Sequence, residues 1–485
     1  MNWRATLATG LVFIALLAFV WVESRNRVAE EGEVFRHGVL GLDLYGIDVE
    51  QVTSLRIERA GQEVVVLTKR DDGWFITEPF EGMANAEEVR RMVETIAQLR
   101  PSATREGVDL DSEQFGLAEP DLVATLTYAG NRTAQLSLGG ETPAGAERYA
   151  KISGNNNLYV VPATVRTTLW KDPREMRETD VLTVEADAVQ SLVLDHGEEH
   201  VAAQRTTATS DGPKWRLTEP LQVPADEWGV RQVITSLDDL KAEGFADEDA
   251  DADDAALGFD GPQATVTLAT TDGKSRTVTF GSTVTREVGQ PAEEKEVVFT
   301  RVSGRNEVLL VQAGALDNFR QSAFDLRDKS VVSFNREDVT RVKVERTQGL
   351  SFTVARRPSG WFVERPQDFE ARQGAIDDIL WDLEDLSAVN FVSDDPTPQE
   401  LRTFGLAVPQ VAITIELRGE EPIRVLVGAK TEAGNYYAST SASKQVVEIS
   451  EFLMGDLPDE VDELRPSAVP IPEPEEAAEP VVPGT

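Results

Sequence analysis

The stretch that decides the fold is Trp74-Phe-Ile-Thr-Glu-Pro79, because the chain repeats it twice. It returns as Trp215-Arg-Leu-Thr-Glu-Pro220 and again as Trp361-Phe-Val-Glu-Arg-Pro366. The spacing is far longer than the repeat units of about 20–50 residues that stack into solenoids. Each copy should therefore be a small domain with a hydrophobic core of its own.

The same helical pattern follows each hexapeptide. Counted from the Trp, apolar residues recur at offsets 15, 18, 19, 22 and 25 in all three copies. This spacing predicts one apolar face of an amphipathic helix. Asn85 with Glu88 resembles a capping box before the first helix, and Asp226 suits a cap before the second. The apolar residues are Val89, Met92, Val93, Ile96 and Leu99; Val230, Val233, Ile234, Leu237 and Leu240; and Ile376, Ile379, Leu380, Leu383 and Leu386.

A second signature begins 41, 42 and 43 residues after the respective Trp. Two β-like runs joined by a short turn come next, and the second run ends at a Gly in every copy, Gly139, Gly281 or Gly428. The three signatures are Phe115-Gly116-Leu-Ala-Glu-Pro120, Leu257-Gly258-Phe-Asp-Gly-Pro262 and Phe404-Gly405-Leu-Ala-Val-Pro409.

One repeat thus contains a hairpin, the strand of the hexapeptide, a helix and about four further strands. We predict an α+β fold in which one main helix covers one face of an antiparallel sheet. Trp74, Trp215 and Trp361 are interpreted as structural positions of the third strand, which Pro79, Pro220 and Pro366 terminate. The predicted repeats span residues 44–182, 183–331 and 332–465.

The two ends of the chain differ from the repeats. Residues 5–22 carry no charge and reach about 27 Å as a helix, which predicts an N-terminal transmembrane anchor within residues 1–27. A cleaved signal peptide or a buried soluble helix would be the alternatives, but the bulky end Phe19-Val-Trp-Val22 favours the anchor. Residues 28–43 are interpreted as a stalk, and residues 466–485, rich in Pro and Glu, as a disordered tail.

Composition limits the partners. The chain has 47 Lys and Arg against 85 Asp and Glu, a net charge of −38. A field this negative repels nucleic acid, so no nucleic-acid partner is expected. The chain has no Cys, which excludes disulfides, thiol catalysis and thiolate zinc sites. A short N-terminal segment followed by a long acidic body favours a body outside the plasma membrane.

Two motifs suggest metal sites. His196-Gly-Glu-Glu-His200 fits the pattern of inverted zinc peptidases, but alignment of the copies places His196 at a hairpin turn. Residues 247–254 hold Asp at calcium-loop spacing, yet the loop lacks the Gly and the bidentate Glu of such sites. We therefore interpret the first as a surface turn and the second as a solvated loop, with no metal and no cofactor.

Other kinds of site are also poorly supported. The signature Trp residues could stack on sugars, but their strand context favours packing. Glu78 and Glu219 become Arg365 in the third copy, which argues against a shared catalytic carboxylate. No phosphate-binding loop or Ser-His-Asp set occurs in the sequence. No catalytic residue is predicted.

The hexapeptide, the helix and the Phe-Gly-Leu-x-x-Pro signature resemble a family of bacterial envelope proteins, the domain of unknown function DUF4340, in three tandem copies. This resemblance implies an accessory component beside ABC-type export permeases or gliding-motility-like envelope proteins, and it implies no catalytic residues. The second copy departs from the pattern at Leu257-Gly-Phe259 and in an acidic insertion, residues 286–296.

The leading hypothesis is a non-enzymatic, membrane-anchored scaffold of a transport assembly, located at the plasma membrane. A module that binds envelope glycan or another ligand is the alternative, and several solvent-facing aromatic side chains in one cleft would favour it. A hydrolase is disfavoured because its one motif falls in a turn.

Overall fold

A computed structural model of the chain describes residues 47–206, 214–247, 252–289 and 292–466. The predicted anchor (1–27) and stalk (28–43) lie outside these ranges, as does the predicted tail apart from Pro466. Two compact units divide the chain between Leu326 and Arg327. The first unit contains two sheets and the second unit contains the third sheet.

Each copy forms one antiparallel sheet of nine strands, and the strand order is the same in all three. The first sheet and its helices are β1 (Val52–Arg59), β2 (Val65–Arg70), β3 (Gly73–Glu78), β4 (Gly82–Met83), α1 (Ala86–Ala97), β5 (Ala103–Arg105), β6 (Leu122–Tyr128), β7 (Arg132–Glu141), β8 (Glu147–Ile152), β9 (Leu158–Pro162) and α2 (Thr164–Leu169). The second comprises β10 (Val189–His196), β11 (Glu199–Arg205), β12 (Trp215–Glu219), β13 (Val223–Pro224), α3 (Glu227–Asp238), β14 (Ala242–Phe245), α4 (Asp254–Leu257), β15 (Ala264–Thr270), β16 (Ser275–Val288), β17 (Glu293–Val302) and β18 (Leu309–Gln312). The third comprises β19 (Val339–Arg346), β20 (Phe352–Arg357), β21 (Gly360–Arg365), β22 (Phe369–Glu370), α5 (Gln373–Glu384), β23 (Ala388–Ser393), α6 (Pro398–Thr403), β24 (Val411–Leu417), β25 (Ile423–Lys430), β26 (Tyr436–Thr440), β27 (Val446–Ile449) and α7 (Phe452–Asp456).

The main helix of each copy joins the two edges of its sheet. In the first sheet the order is β4-β3-β2-β1-β6-β7-β8-β9-β5, and α1 connects β4 at one edge to β5 at the other. Such a connection carries the helix over one face of the sheet, where its apolar side can be buried.

The predicted apolar face is buried in all three helices. The residues at the five offsets belong to the core of their own sheet in every copy. Each large aliphatic side chain buried in this way contributes about 1.5–3 kcal/mol. Asn85 and Asp226 accept hydrogen bonds from the backbone N–H groups of Glu88 and Trp228, so both act as the helix caps that the sequence predicts.

The second signature builds a smaller core on the opposite face. In the first copy Phe115, Leu117 and Leu158 form this cluster, and the Phe115 ring lies 5.0 Å from that of Tyr149. Phe404 and Tyr437 repeat the contact at 4.6 Å in the third copy. The two faces of each sheet are therefore covered by different elements.

The predicted fold class, α+β with an N-terminal transmembrane helix, is wrong. The repeats themselves are present, but each is a nine-stranded antiparallel sheet with few helices. The sequence did not reveal the full number of strands mainly because edge strands such as β4 and β5 are so short. They have two and three residues, too few to show an alternating pattern. In the described residues no helix is long and apolar enough to cross a membrane, and the predicted span (5–22) lies outside them.

Candidate functional site

The signature residues of the hexapeptide occupy structural positions. Trp74, Trp215 and Trp361 lie on β3, β12 and β21 and are buried in the three main cores. Each strand ends one residue before a proline, Pro79, Pro220 or Pro366, and the peptide bond preceding each proline is cis. Buried Trp rings offer no platform for a sugar.

The glycines of the second signature bring two backbone segments into contact. A Cβ on Gly139, Gly281 or Gly428 would lie 2.1–2.2 Å from the carbonyl oxygen of Phe115, Leu257 or Phe404. The next residues along the signature, Gly116, Gly258 and Gly405, have φ of 64°, 81° and 73°, a region that favours glycine. These six glycines hold the signature loop against its sheet.

The histidine motif lies on a hairpin. His196 ends β10 and pairs with Glu199 at the start of β11. His200 Nδ1 lies 2.6 Å from Asp195 Oδ1, and its Nε2 lies 3.4 Å from Glu219. Within the described parts of the chain, no three His, Asp or Glu side chains come together in a way that could hold a metal ion.

His196 has a structural counterpart in each of the other copies. Its Nε2 lies 3.0 Å from the carbonyl oxygen of Gln321, close to the end of the second repeat. At the same strand position Arg59 donates to the carbonyl of Lys171, and Arg346 donates to that of Leu457. The side chain at this position thus ties the first strand of each copy to the last segment of that copy.

The acidic loop falls partly outside the described residues. Asp249 and Asp251 belong to residues 248–251, which the structure does not describe. Asp253 caps α4 by accepting from the N–H of Ala256, and Asp254 pairs with Arg301 at 2.7 Å. The Arg301 guanidinium lowers the pKa of Asp254. These two carboxylates are thus engaged within the protein.

The second copy carries an element that the other two lack. Strands β16 and β17 have 14 and 10 residues, against 10 and 6 for β7 and β8 and 8 and 5 for β25 and β26. The additional hairpin, here called the arm, comprises residues 284–288 and 293–297, paired from Val284↔Val297 to Val288↔Glu293. It corresponds to the insertion seen in the sequence.

Apolar packing and an ion pair fix the arm to its sheet. Val288 and Val297 of the arm are buried in a small cluster with Leu257, Phe299 and Leu310. Lys295 Nζ lies 2.8 Å from Glu243 on β14, which raises the pKa of Lys295. The Glu243 contact anchors the arm at the sheet edge where the first two copies meet.

A cleft of about 700 Å³ lies beneath the arm. Arg286, Glu287 and Glu294 belong to the arm, and Arg174 comes from the last turn of the first copy. Asp247 at the cleft wall is held by Arg177 through two hydrogen bonds of 2.8 and 3.0 Å. The remaining lining residues are Phe245, Ala246, Thr285 and Leu310.

The lining of the cleft mixes charged and apolar side chains. Arg174 and Arg286 supply cationic groups, and Phe245 and Leu310 are among the apolar side chains. Such a lining suits a partner segment that carries positive and negative side chains together with an apolar one. Arg174 also lines a second cavity of about 470 Å³ beside Trp170.

Sequence reasoning missed these lining residues. The one signal available was the insertion of residues 286–296, which marked where the second copy differs. Arg174 could not have been found in this way, because it comes from the first copy and reaches the cleft only in the folded chain.

The sheets and the arm define a class, a tandem-repeat β-sheet protein with a cleft between its first and second copies. The chain belongs to the family described as Domain of unknown function (DUF4340), which matches residues 74–213, 215–362 and 361–479. The three adjacent matches agree with the three copies predicted from the sequence.

Other comparisons add little. A search of the curated proteins found no match. Among solved structures, a protein assigned as a DNA polymerase III beta subunit from Eubacterium rectale is 11% identical over 83% of this chain and 92% of that chain, with a TM-score of 0.12. That likeness is too slight to bear on fold or function.

Proposed function

We propose that the protein is a non-enzymatic scaffold at the outer side of the plasma membrane, an accessory subunit of a transport assembly such as one built on an ABC-type permease. The observation that supports this role most directly is the cleft beneath the arm, which two copies of the repeat build together. The arm distinguishes the second copy from the other two, which share its sheet topology.

The chemistry of the cleft supports binding of a protein segment. Its lining holds two Arg side chains, three carboxylates and several apolar side chains, the mixture found at polar protein interfaces. Thr285 is the one hydroxyl among the lining residues, and no imidazole lies beside it to activate it.

A glycan-binding role has less support. Trp228 on α3 and Trp381 on α5 are exposed, but neither lines the cleft beneath the arm. The cleft beneath the arm has one aromatic side chain, Phe245. Sugar-binding sites usually present several aromatic faces in one groove.

Affinity purification of the tagged full chain from native membranes in detergent tests the proposal. We expect permease subunits to copurify with the wild-type chain. The charge-reversed cleft, Arg174→Glu with Arg286→Glu, should reduce their recovery at least about tenfold, because the rim charges would then repel the partner.

A matched control carries the same change in net charge elsewhere. Arg132→Glu with Lys274→Glu alters two exposed hairpin turns of the first and second copies and should leave recovery unchanged. Recovery of glycan without a permease, or equal recovery with both double variants, would refute the proposal.

A further inference from the structure

Close to its end, each copy has an apolar residue followed by arginine: Met176-Arg177, Leu326-Arg327 and Leu464-Arg465. The carbonyl groups of the three apolar residues accept equivalent 2.8 Å hydrogen bonds, from the N–H groups of Asn85, Asp226 and Arg372 before the main helices. The three arginines therefore stand at the same place in the fold.

The next copy encloses the first of these arginines. The Arg177 guanidinium lies 4.0 Å from the ring of Phe80 in its own copy and 4.4 Å from that of Phe245 in the second copy. Asp247, two residues after Phe245, binds it with both carboxylate oxygens. The side chain of Arg177 is only 5% exposed.

Within the second unit, Arg327 has the same kind of environment. Its guanidinium lies 3.4 Å from the ring of Phe391, and it pairs with Asp394, three residues further on. Its side chain is also 5% exposed. Phe391 is on β23 and Phe245 is on β14, the corresponding strand. An aromatic residue followed closely by a carboxylate thus covers the arginine in both cases.

Arg465 has only part of this environment. Its guanidinium lies 4.0 Å from the ring of Phe369 and makes hydrogen bonds of 2.9 Å to Asp462 and 2.8 Å to Gln367. All three partners belong to the third copy itself. The side chain remains 40% exposed, eight times the fraction of the other two arginines.

We propose that Arg465 is the docking point for a strand of another protein, which supplies an aromatic residue followed two or three residues later by a carboxylate. This would continue the interface already formed at Arg177. Planar guanidinium groups favour such a partner, since they stack on rings and bind carboxylates through two hydrogen bonds. The inference does not depend on the role proposed for the cleft beneath the arm.

A second copy of this chain does not fit well as the partner. The corresponding strand of its first repeat is β5, Ala103–Arg105, in which Thr104 stands where the other copies have Phe245 and Phe391. No ring is available there, and Arg105 would bring a second cation towards Arg465. We therefore assign the surface to a different protein.

A peptide with the sequence of residues 387–395, Ser-Ala-Val-Asn-Phe-Val-Ser-Asp-Asp, is a suitable probe. Fluorescence anisotropy of the labelled peptide should show binding to the full wild-type chain. Arg465→Glu should weaken binding at least tenfold, and Arg465→Lys should weaken it less, because lysine keeps the charge but loses the planar fork. Replacing Phe391 by Ala or Asp394 by Asn within the peptide should each weaken binding as well.

Arg402→Glu is the matched control, since Arg402 is an exposed residue of the third copy that contacts Gln399 on its own helix. It should leave peptide binding unchanged. Circular dichroism should show that both variants remain folded. Absence of binding to the wild type, or equal weakening by Arg465→Glu and Arg402→Glu, would overturn the proposal. So would a dimer of the wild-type chain in sedimentation that Arg465→Glu abolishes.

Discussion

At the scale of single residues, Gly139, Gly281 and Gly428 make the most specific demand; the structure places them within β7, β16 and β25, which continue past the glycine. Gly139 faces the carbonyl oxygen of Phe115, and a methyl group there would lie 2.1 Å from that oxygen. The obstacle is backbone, which cannot move aside as a flexible side chain can. The sequence alone marks the glycine as recurrent but does not show what it contacts.

Gly139→Ala should therefore destabilise the first copy by about 3 kcal/mol. Gly140→Ala is the control, because a Cβ at Gly140 would lie 3.7 Å from the same oxygen, an ordinary contact. It should change stability by less than about 1 kcal/mol. Hydrogen exchange of peptides from β6 and β7 measures both effects. Similar protection in the two variants would contradict the proposed close contact.

A second residue-scale prediction concerns pH. The hydrogen bond to Asp195 raises the pKa of His200 above its usual value near 6.5, and the negative charge of Glu219 raises it further but more weakly. Protonated His200 thus favours the folded state, so this contribution is complete below the unfolded pKa and disappears as pH rises through the folded pKa. It should be small, because the side chain is half exposed.

We expect the melting temperature of His200→Gln to fall furthest below that of the wild type near pH 5.5 and to approach it by pH 9. Differential scanning calorimetry across that range measures the gap. In an Asp195→Asn background, which removes the main partner, the gap should become nearly independent of pH. A difference in melting temperature that widens with rising pH would contradict a raised pKa of His200 in the folded state.

At the scale of elements, the start of α1 offers a comparison between copies. The side chain of Asn85 accepts from the Glu88 N–H at 3.0 Å and donates to Glu178 at 3.2 Å. Arg372, at the same position before α5, makes no side-chain cap bond. The two helices have equal length, but only in α1 does a side chain accept a hydrogen bond from a backbone N–H of the first turn.

Asn85→Ala should accordingly destabilise the first copy by about 1 kcal/mol, the usual cost of losing a cap. Arg372→Ala should have a smaller effect on the third copy, since no cap bond is lost. Hydrogen exchange at the first turns of α1 and α5 measures the two losses. Equal losses would mean that the Asn85 contacts contribute nothing specific.

The elements also show what the sequence could and could not reveal. The helices were predictable because their apolar face repeats over five positions in each copy. Strands β4 and β5 were not predictable, because two or three residues are too few to show an alternating hydrophobic pattern. Their pairing also depends on the finished sheet. The arm was visible as an insertion, but the cleft beneath it requires Arg174 from another copy.

At the scale of the whole molecule, the first two copies are joined within one compact unit by Arg305 and Glu307. These buried side chains pair at 2.8 Å in the turn between β17 and β18. Arg305 donates to the carbonyl groups of Asp180 and Glu178, and Glu307 accepts from the N–H of Met83 at 3.1 Å. The corresponding residues of the first copy are Asn155 and Asn157, so sequence comparison gave no sign of this contact.

Removing one member of this buried pair should cost more than removing both. Arg305→Leu leaves Glu307 without its cation and should destabilise the unit by about 3 kcal/mol, whereas Arg305→Leu with Glu307→Leu should cost less. Arg276→Leu, which breaks the exposed pair with Asp72 between the same two copies, should cost less than about 1 kcal/mol. Urea unfolding measures the stabilities, and hydrogen exchange near Met83 reports the interface. If Arg305→Leu were no more damaging than Arg276→Leu, the two copies would have to be joined by other contacts.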